Sequence, residues 1–336
     1  MGLSLLNCKT YLEGMTSNEK ASKPPLHVVV GAGQIGPNIA ARLLERGLRV
    51  RLVQRRTPST AGLAGVETAR ADVSDPDSAA RAFEGASVVY HTANPVYTEW
   101  PRLLLPLTRG IAAGATRAGA HLVVLDNLYM YGRAPGGVMR EDTPVAPCSA
   151  KGELRAEAAH VLLTARDRGE LAVTIGRASD FFGPGATLSA IFGPRFWQRA
   201  LRGKPGEVFG DPNQPHSYSY VRDVADALVT LGTDERAKNR LWHLPVNPAE
   251  PTRTTIARAA RALGIELGAK RFAPRLLSLL GVVSPMLREV AEMTYQWEAP
   301  FVLDDSRFRD TFGVTATPWD PAMNETAAWG RTLGRS

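Results

Sequence analysis

Three glycines carry the first chemical signal in this chain. Gly31, Gly33 and Gly36 are spaced G-x-G-x-x-G in Val30-Gly31-Ala32-Gly33-Gln34-Ile35-Gly36, with Gln34 and Ile35 inside the loop they form. The spacing suits a backbone that turns tightly at Gly31, lets a ligand approach at Gly33, and packs a helix on a strand at Gly36. A helix starting there offers free N–H groups and the positive end of its dipole, which favour a pyrophosphate. Further on comes Gln54-Arg55-Arg56, where a fold that prefers NAD places a carboxylate for the ribose 2′-hydroxyl. Two guanidinium groups there match a 2′-phosphate, so NADP is the expected cofactor, with NAD as the alternative. Asp72 and Val73 are expected at the adenine, and Thr92, Ala93 and Asn94 along the rest of the dinucleotide.

A second set of residues could move protons. Asp126-Asn127-Leu128-Tyr129 closes a strand, and Lys151 opens the helix that follows. Tyr129 near Lys151 could act as an acid, Asp126 as a base or as the group that orients Asn127, and Lys151 as a ligand for ribose hydroxyls or an anionic substrate. Each also has a plain structural reading: a loop cap, a first-turn lysine, a packed aromatic. Tyr97, Phe181, Phe182, Trp197, His216 and Tyr218 are candidates for a substrate pocket with an aromatic or apolar side. No Cys, His or acidic spacing points to a metal.

The elements that must position these residues alternate. Apolar runs at 26–30, 48–53, 66–70, 87–91, 121–125 and 171–176 read as strands, and amphipathic stretches at 34–46, 76–84, 101–118 and 150–168 as helices. Asp75 before Pro76 is a helix start, with the carboxylate as cap and proline at the first helical position. This alternation predicts an α/β fold: a Rossmann-type doubly wound parallel sheet with helices on both faces. Beyond residue 185 the pattern loosens, with helices expected at 188–202, 222–233, 253–263, 285–296 and 322–333 and short strands at 208–209 and 241–244. The expected division is a loose N-terminal extension (1–25), a dinucleotide-binding domain (26–185) and a smaller α+β substrate lobe (186–336), some of which returns to the main sheet.

The chain has 336 residues, is 44% hydrophobic and carries a formal charge of +7. Its arginines are scattered along the helices rather than gathered in an aromatic-interleaved stripe, which argues against nucleic acid as the partner. Cys8 and Cys148, the two cysteines, form no disulfide framework, as expected in a reducing cytoplasm. No apolar run reaches transmembrane length, the opening apolar run is too short for a signal peptide, and Leu6 breaks the myristoylation pattern. The expected partner is a small-molecule substrate; a homodimer is compatible with the sequence.

In order and spacing, Gly31-Ala32-Gly33-Gln34-Ile35-Gly36, Asp72-Val73, Tyr131-Gly132, Phe182-Gly183-Pro184-Gly185 and Tyr220-Val221-Arg222-Asp223-Val224-Ala225 resemble the extended short-chain dehydrogenase/reductases. This is the NAD-dependent epimerase/dehydratase family, and the similarity runs from about residue 26 to the C-terminus. The resemblance implies an oxidoreductase or epimerase-like enzyme acting on a carbonyl- or hydroxyl-bearing metabolite. It also implies a Ser or Thr and a Tyr-x-x-x-Lys on the helix after the fifth strand. Here the usual Ser-Ser is Asp126-Asn127, and the helix begins Ser149-Ala150-Lys151-Gly152-Glu153-Leu154-Arg155, without a tyrosine. One register puts Lys151 and Arg155 in the tyrosine and lysine places; the other puts Ser149 and Glu153 there. The chain resembles an atypical member, with the usual proton relay replaced or lost. A non-redox dinucleotide-binding protein (a sensor or scaffold) is the alternative, as is an isomerase or cyclase that holds the dinucleotide structurally.

Overall fold

A computed structural model describes residues 23–56, 62–189, 191–272 and 285–334. Most of the expected N-terminal extension, residues 1–22, lies outside the described residues. Seven strands form the central sheet: β1 (Leu26–Val30), β2 (Arg49–Gln54), β3 (Glu67–Arg70), β4 (Ala86–His91), β5 (His121–Asp126), β7 (Val173–Arg177) and β12 (Leu241–His243). Their order is β12-β7-β5-β4-β1-β2-β3, and every pairing is parallel. The order reverses between β1 and β4, which opens a crevice at the carboxyl ends of the strands. All five residues of β1 are buried, as expected for a strand covered on both faces.

Helices α1 (Gly36–Glu45) and α6 (Val221–Thr233) cover one face, where Ile39, Leu43, Val224 and Leu228 are buried together with Val29 and Tyr90. Helices α2 (Pro76–Phe83), α3 (Trp100–Ala118) and α4 (Ala150–Asp167) cover the other, against Val28, Val89 and Leu122. Two caps fix where helices begin. Asp75 accepts from Ser78 N at 3.0 Å, and Ser149 from Gly152 N at 3.0 Å. The Ser149 cap sets the phase of α4, and with it the directions of Lys151 and Arg155.

The remaining elements form short ribbons and a second core. Paired are β6 (Val138–Met139) with β15 (Val302–Leu303), β8 (Asp180–Phe182) with β11 (Tyr218–Tyr220), β9 (Gly206–Val208) with β14 (Ala269–Arg271), and β10 (Pro215–His216) with β13 (Glu250–Pro251). Around them lie α5 (Pro194–Ala200), α7 (Thr252–Leu263), α8 (Pro285–Glu292), α9 (Ser306–Phe312) and α10 (Trp319–Thr332). Phe182, Phe192, Trp197, Tyr218 and Ile256 are fully buried in this second core. The helix expected at 285–296 ends at Glu292 and continues as a 3₁₀ turn, Thr294–Trp297. No described helix is long and apolar enough to cross a membrane.

Candidate active site

One cavity of about 710 Å³ follows the carboxyl ends of the strands. Gly31, Gly33, Gln34 and Ile35 line it after β1; Gln54, Arg55 and Arg56 after β2; Asp72 and Val73 after β3; and Thr92, Ala93 and Asn94 after β4. Every residue assigned to the cofactor from sequence lines this cavity except Gly36, which is buried at the first turn of α1.

The glycines differ in why they must be glycine. Gly31 has φ +103°, and a Cβ there would stand 2.8 Å from Ala93 N. A Cβ on Gly36 would stand 1.8 Å from Gly31 O, so the loop and helix could not close. Gly33 has no positive φ, and its Cβ would meet nothing within 4 Å. No contact among the described residues explains glycine at position 33; a ligand brought onto that backbone would. Helix α1 begins without a side-chain cap, which leaves its first N–H groups for an anion. At the other end Arg55 and Arg56 are exposed, and the Arg55 charge helps hold the Asp72 carboxyl in its ionised form. Asp72 accepts from Ser74 N at 3.1 Å and Ser74 Oγ at 2.6 Å, bonds that hold its carboxyl below the usual range. These residues fit a bound dinucleotide.

Past β4 and β5 the cavity is lined by Tyr97, Asp126, Asn127 and Tyr129. The Tyr97 and Tyr129 hydroxyls are 2.6 Å apart. Burial pushes Tyr97 up to about 12 and Tyr129 well above the ordinary tyrosine range, so both are neutral. Asn127 is turned back, accepting from Tyr129 N at 3.1 Å, and so shapes the turn that presents Tyr129. Asp126 sits between two guanidinium groups, Arg177 Nε at 3.3 Å and Arg155 Nη1 at 3.6 Å, which occupy its oxygens.

Arg155, which the sequence offered only as one register's occupant of the family's lysine place, lines the cavity. Its guanidinium lies 4.4 Å from the Trp100 ring centroid, and Nη2 donates to Asn94 Oδ1 at 2.8 Å. Its Nε is buried with no partner among the described residues, an unmet donor in the wall of the cavity. Lys151, one turn earlier, does not line the cavity. It is 2% exposed, and its ammonium is bound by Glu289 and, at 2.6 Å, Glu292, both on α8. It also lies 5.3 Å from the Tyr97 ring centroid, behind the tyrosine pair. Of the four positions named by the two registers, Arg155 is the one that lines the cavity. Ser149 is spent as the helix cap, and Glu153 is exposed.

The aromatic candidates divide. Tyr97 and Phe181 line the cavity; Phe182, Trp197 and Tyr218 do not, being packed in the second core. His216 also lies outside the wall, stacked on Trp297 at 5.0 Å, but its Nε2 is 2.8 Å from Asp180 Oδ2, and Asp180 does line the cavity. Asp180 was not singled out in the sequence. The signal available was its place beside Phe181 just past β7, where ligands bind in such sheets.

The chain matches the NAD dependent epimerase/dehydratase family over residues 27–243. It is 26% identical over 231 residues to the dTDP-6-deoxy-L-talose 4-dehydrogenase (NAD(P)(+)) of Kitasatospora kifunensis, across 62% of this chain and 70% of that protein. It is 31% identical over 99 residues to the low-salt glycan biosynthesis protein Agl12 of Haloferax volcanii, a match spanning 30% of this chain and 32% of that protein. Its fold is similar to a crystal structure of dTDP-glucose 4,6-dehydratase from Bacillus anthracis in complex with NAD, with a TM-score of 0.75, 16% identity, and 92% of this chain and 97% of that one covered. Together with the reversing parallel sheet and the glycine loop at its switch point, the match across most of that sheet means that the chain belongs to the NAD dependent epimerase/dehydratase family.

Proposed function

We propose that the protein is an NADP-preferring oxidoreductase or epimerase-like enzyme in which the Tyr97–Tyr129 pair handles the proton of a small carbonyl- or hydroxyl-bearing substrate. The observation that carries this reading is the 2.6 Å hydroxyl pair in the same cavity as the glycine loop. A bound nicotinamide supplies or takes the hydride. The α1 N-terminus and the Gly33 backbone would hold the pyrophosphate, Arg55 and Arg56 the 2′-phosphate, and Arg155 with Asn94 a ribose. Tyr129 gives its proton to the carbonyl oxygen as the carbon becomes an alcohol, and Tyr97 shares the charge left behind through their common hydrogen bond. The Arg155 guanidinium favours an anion at Tyr97. Tyrosines raised by burial are protonated at neutral pH, so they serve as acids in reduction; the reverse reaction should accelerate as pH rises.

Titrating NADPH and NADH against the protein, then following NADPH oxidation across a carbonyl panel, tests this. NADPH should bind more tightly, and Arg55→Ala should weaken NADPH selectively. Tyr129→Phe should lower turnover by about 10²–10⁴ with NADPH affinity within a few-fold. An NADH preference removes the 2′-phosphate assignment, and normal turnover in Tyr129→Phe removes the proton role. Tight NADPH binding without reduction of any member of the panel would instead identify a non-redox dinucleotide protein.

A further inference from the structure

The part of the cavity beyond the tyrosine pair has an unexpected charge balance. Phe181, Phe209, Val290, Met293, Trp297 and Phe301 form its wall. The described cations that line the cavity lie elsewhere or are already committed. Arg55 and Arg56 follow β2, while Arg155, whose Nε is its donor without a partner among the described residues, is otherwise held by Asn94, Asp126 and Trp100. Lys151 is turned away to Glu289 and Glu292. The one charged described residue in the aromatic part is Asp180. His216, the basic group beside it, has both ring nitrogens in use: Nε2 faces Asp180 Oδ2 at 2.8 Å, and Nδ1 faces Gln296 O at 3.2 Å.

Two of the similar proteins are named for dTDP-sugars, whose diphosphate is anionic. An anion taken from water needs cations or several aligned donors to repay its desolvation, and here it would meet aromatic side chains and a carboxylate. We infer that the substrate is an uncharged, largely apolar carbonyl or alcohol bearing a second hydrogen-bond donor, and that Asp180, positioned by His216, accepts from that donor. This rests on the reading of the cavity as a NAD(P) site and names the substrate class of that site. The apolar body packs between Phe181, Met293 and Trp297, the reacting oxygen meets the tyrosine pair, and Asp180 fixes the orientation.

Calorimetric titration of the NADP⁺-loaded protein tests the inference without requiring turnover. The probes are dTDP-glucose, a panel of neutral hydroxyaryl ketones that includes 3-hydroxyacetophenone, and its anionic shape-mate 3-acetylbenzoate. Neutral ketones should bind about tenfold or more tightly than 3-acetylbenzoate, and dTDP-glucose more weakly than the ketones. Asp180→Asn should narrow the gap between the neutral and anionic aryl ketones to a few-fold while NADP⁺ binding is kept. The proposal is overturned if dTDP-glucose binds as well as the ketones, if no ketone binds, or if the gap in Asp180→Asn stays as wide as in the parent. Ketone binding without NADPH oxidation counts against the redox reading alone.

Discussion

A Cβ on Gly36 would stand 1.8 Å from Gly31 O, whereas a Cβ on Gly33 would stand in the open cavity. The same motif therefore gives two opposite expectations. Gly33→Val should melt within a few degrees of the parent and lose NADPH binding, because its methyl groups occupy ligand space and no protein space. Gly36→Val should lower the melting temperature sharply, because loop and helix must separate to admit the side chain. Thermal melts and NADPH titrations of both variants check this. A Gly33→Val protein that binds NADPH normally would show that the loop does not cradle a phosphate. At this scale the glycine roles were legible in sequence because all three act within one short segment. The direction of Lys151 was not, because it is decided by carboxylates 138 and 141 residues away in sequence.

Lys151 belongs to the scale of elements. It joins the first turn of α4 to α8, and its backbone N–H donates to Glu292 Oε1 at 3.0 Å as well. Helix α8 contributes Val290 to the cavity wall, and the turn after it contributes Met293, Gln296 and Trp297. Removing the ammonium leaves two carboxylates facing a site built for one cation. Lys151→Met should cost about 1–3 kcal/mol, less than for a fully dry pair because the glutamates keep some water. It should also raise KM more than it changes NADPH affinity, and speed hydrogen exchange across residues 288–297. Lys151→Arg should recover part of the loss. Unchanged stability in Lys151→Met would mean that α8 is held by its apolar contacts alone. The pair Phe181 and Phe182 shows why the aromatic candidates divided. Neighbouring residues of a strand point to opposite faces, so β8 sends Phe181 to the cavity and Phe182 to the core between Tyr220 and Trp319. A run of aromatics in sequence does not say which face will be wet.

Across the whole molecule, burial makes folding sensitive to acid. Desolvation pushes His27 and His121 down to about 4 and His91 and His243 to about 3. A folded value below the unfolded one, about 6.5, means that the unfolded chain takes up protons first. This contribution is therefore fully present above pH 6.5 and is lost as pH falls towards the folded values. Each imidazole costs the fold up to about 2 kcal/mol at pH 5. Asp223 and Asp226, raised by burial, act in the opposite sense and offset part of the loss at lower pH. Urea unfolding should give a clearly smaller free energy at pH 5 than at pH 7; equal values would mean that these rings are hydrated in the native state.

The sequence by itself determined the strands and helices of the main sheet and the glycine loop at its carboxyl edge. Strand periodicity, the Asp75-Pro76 helix start and the G-x-G-x-x-G turn are local, so a few consecutive residues suffice to specify them. The parallel pairing was legible in the alternation of strands and helices; the order β12-β7-β5-β4-β1-β2-β3 was not, because crossover handedness limits the arrangements without choosing one. Only the tertiary structure decided which side chains meet past β4 and β5. Tyr97 meets Tyr129 across two loops, Arg155 rather than Lys151 turns into the cavity, and His216 holds Asp180 from another ribbon. These are contacts between distant segments, set by how a helix is phased by its cap and which face of a strand the second core covers. Neither is written in the identity of the residue itself.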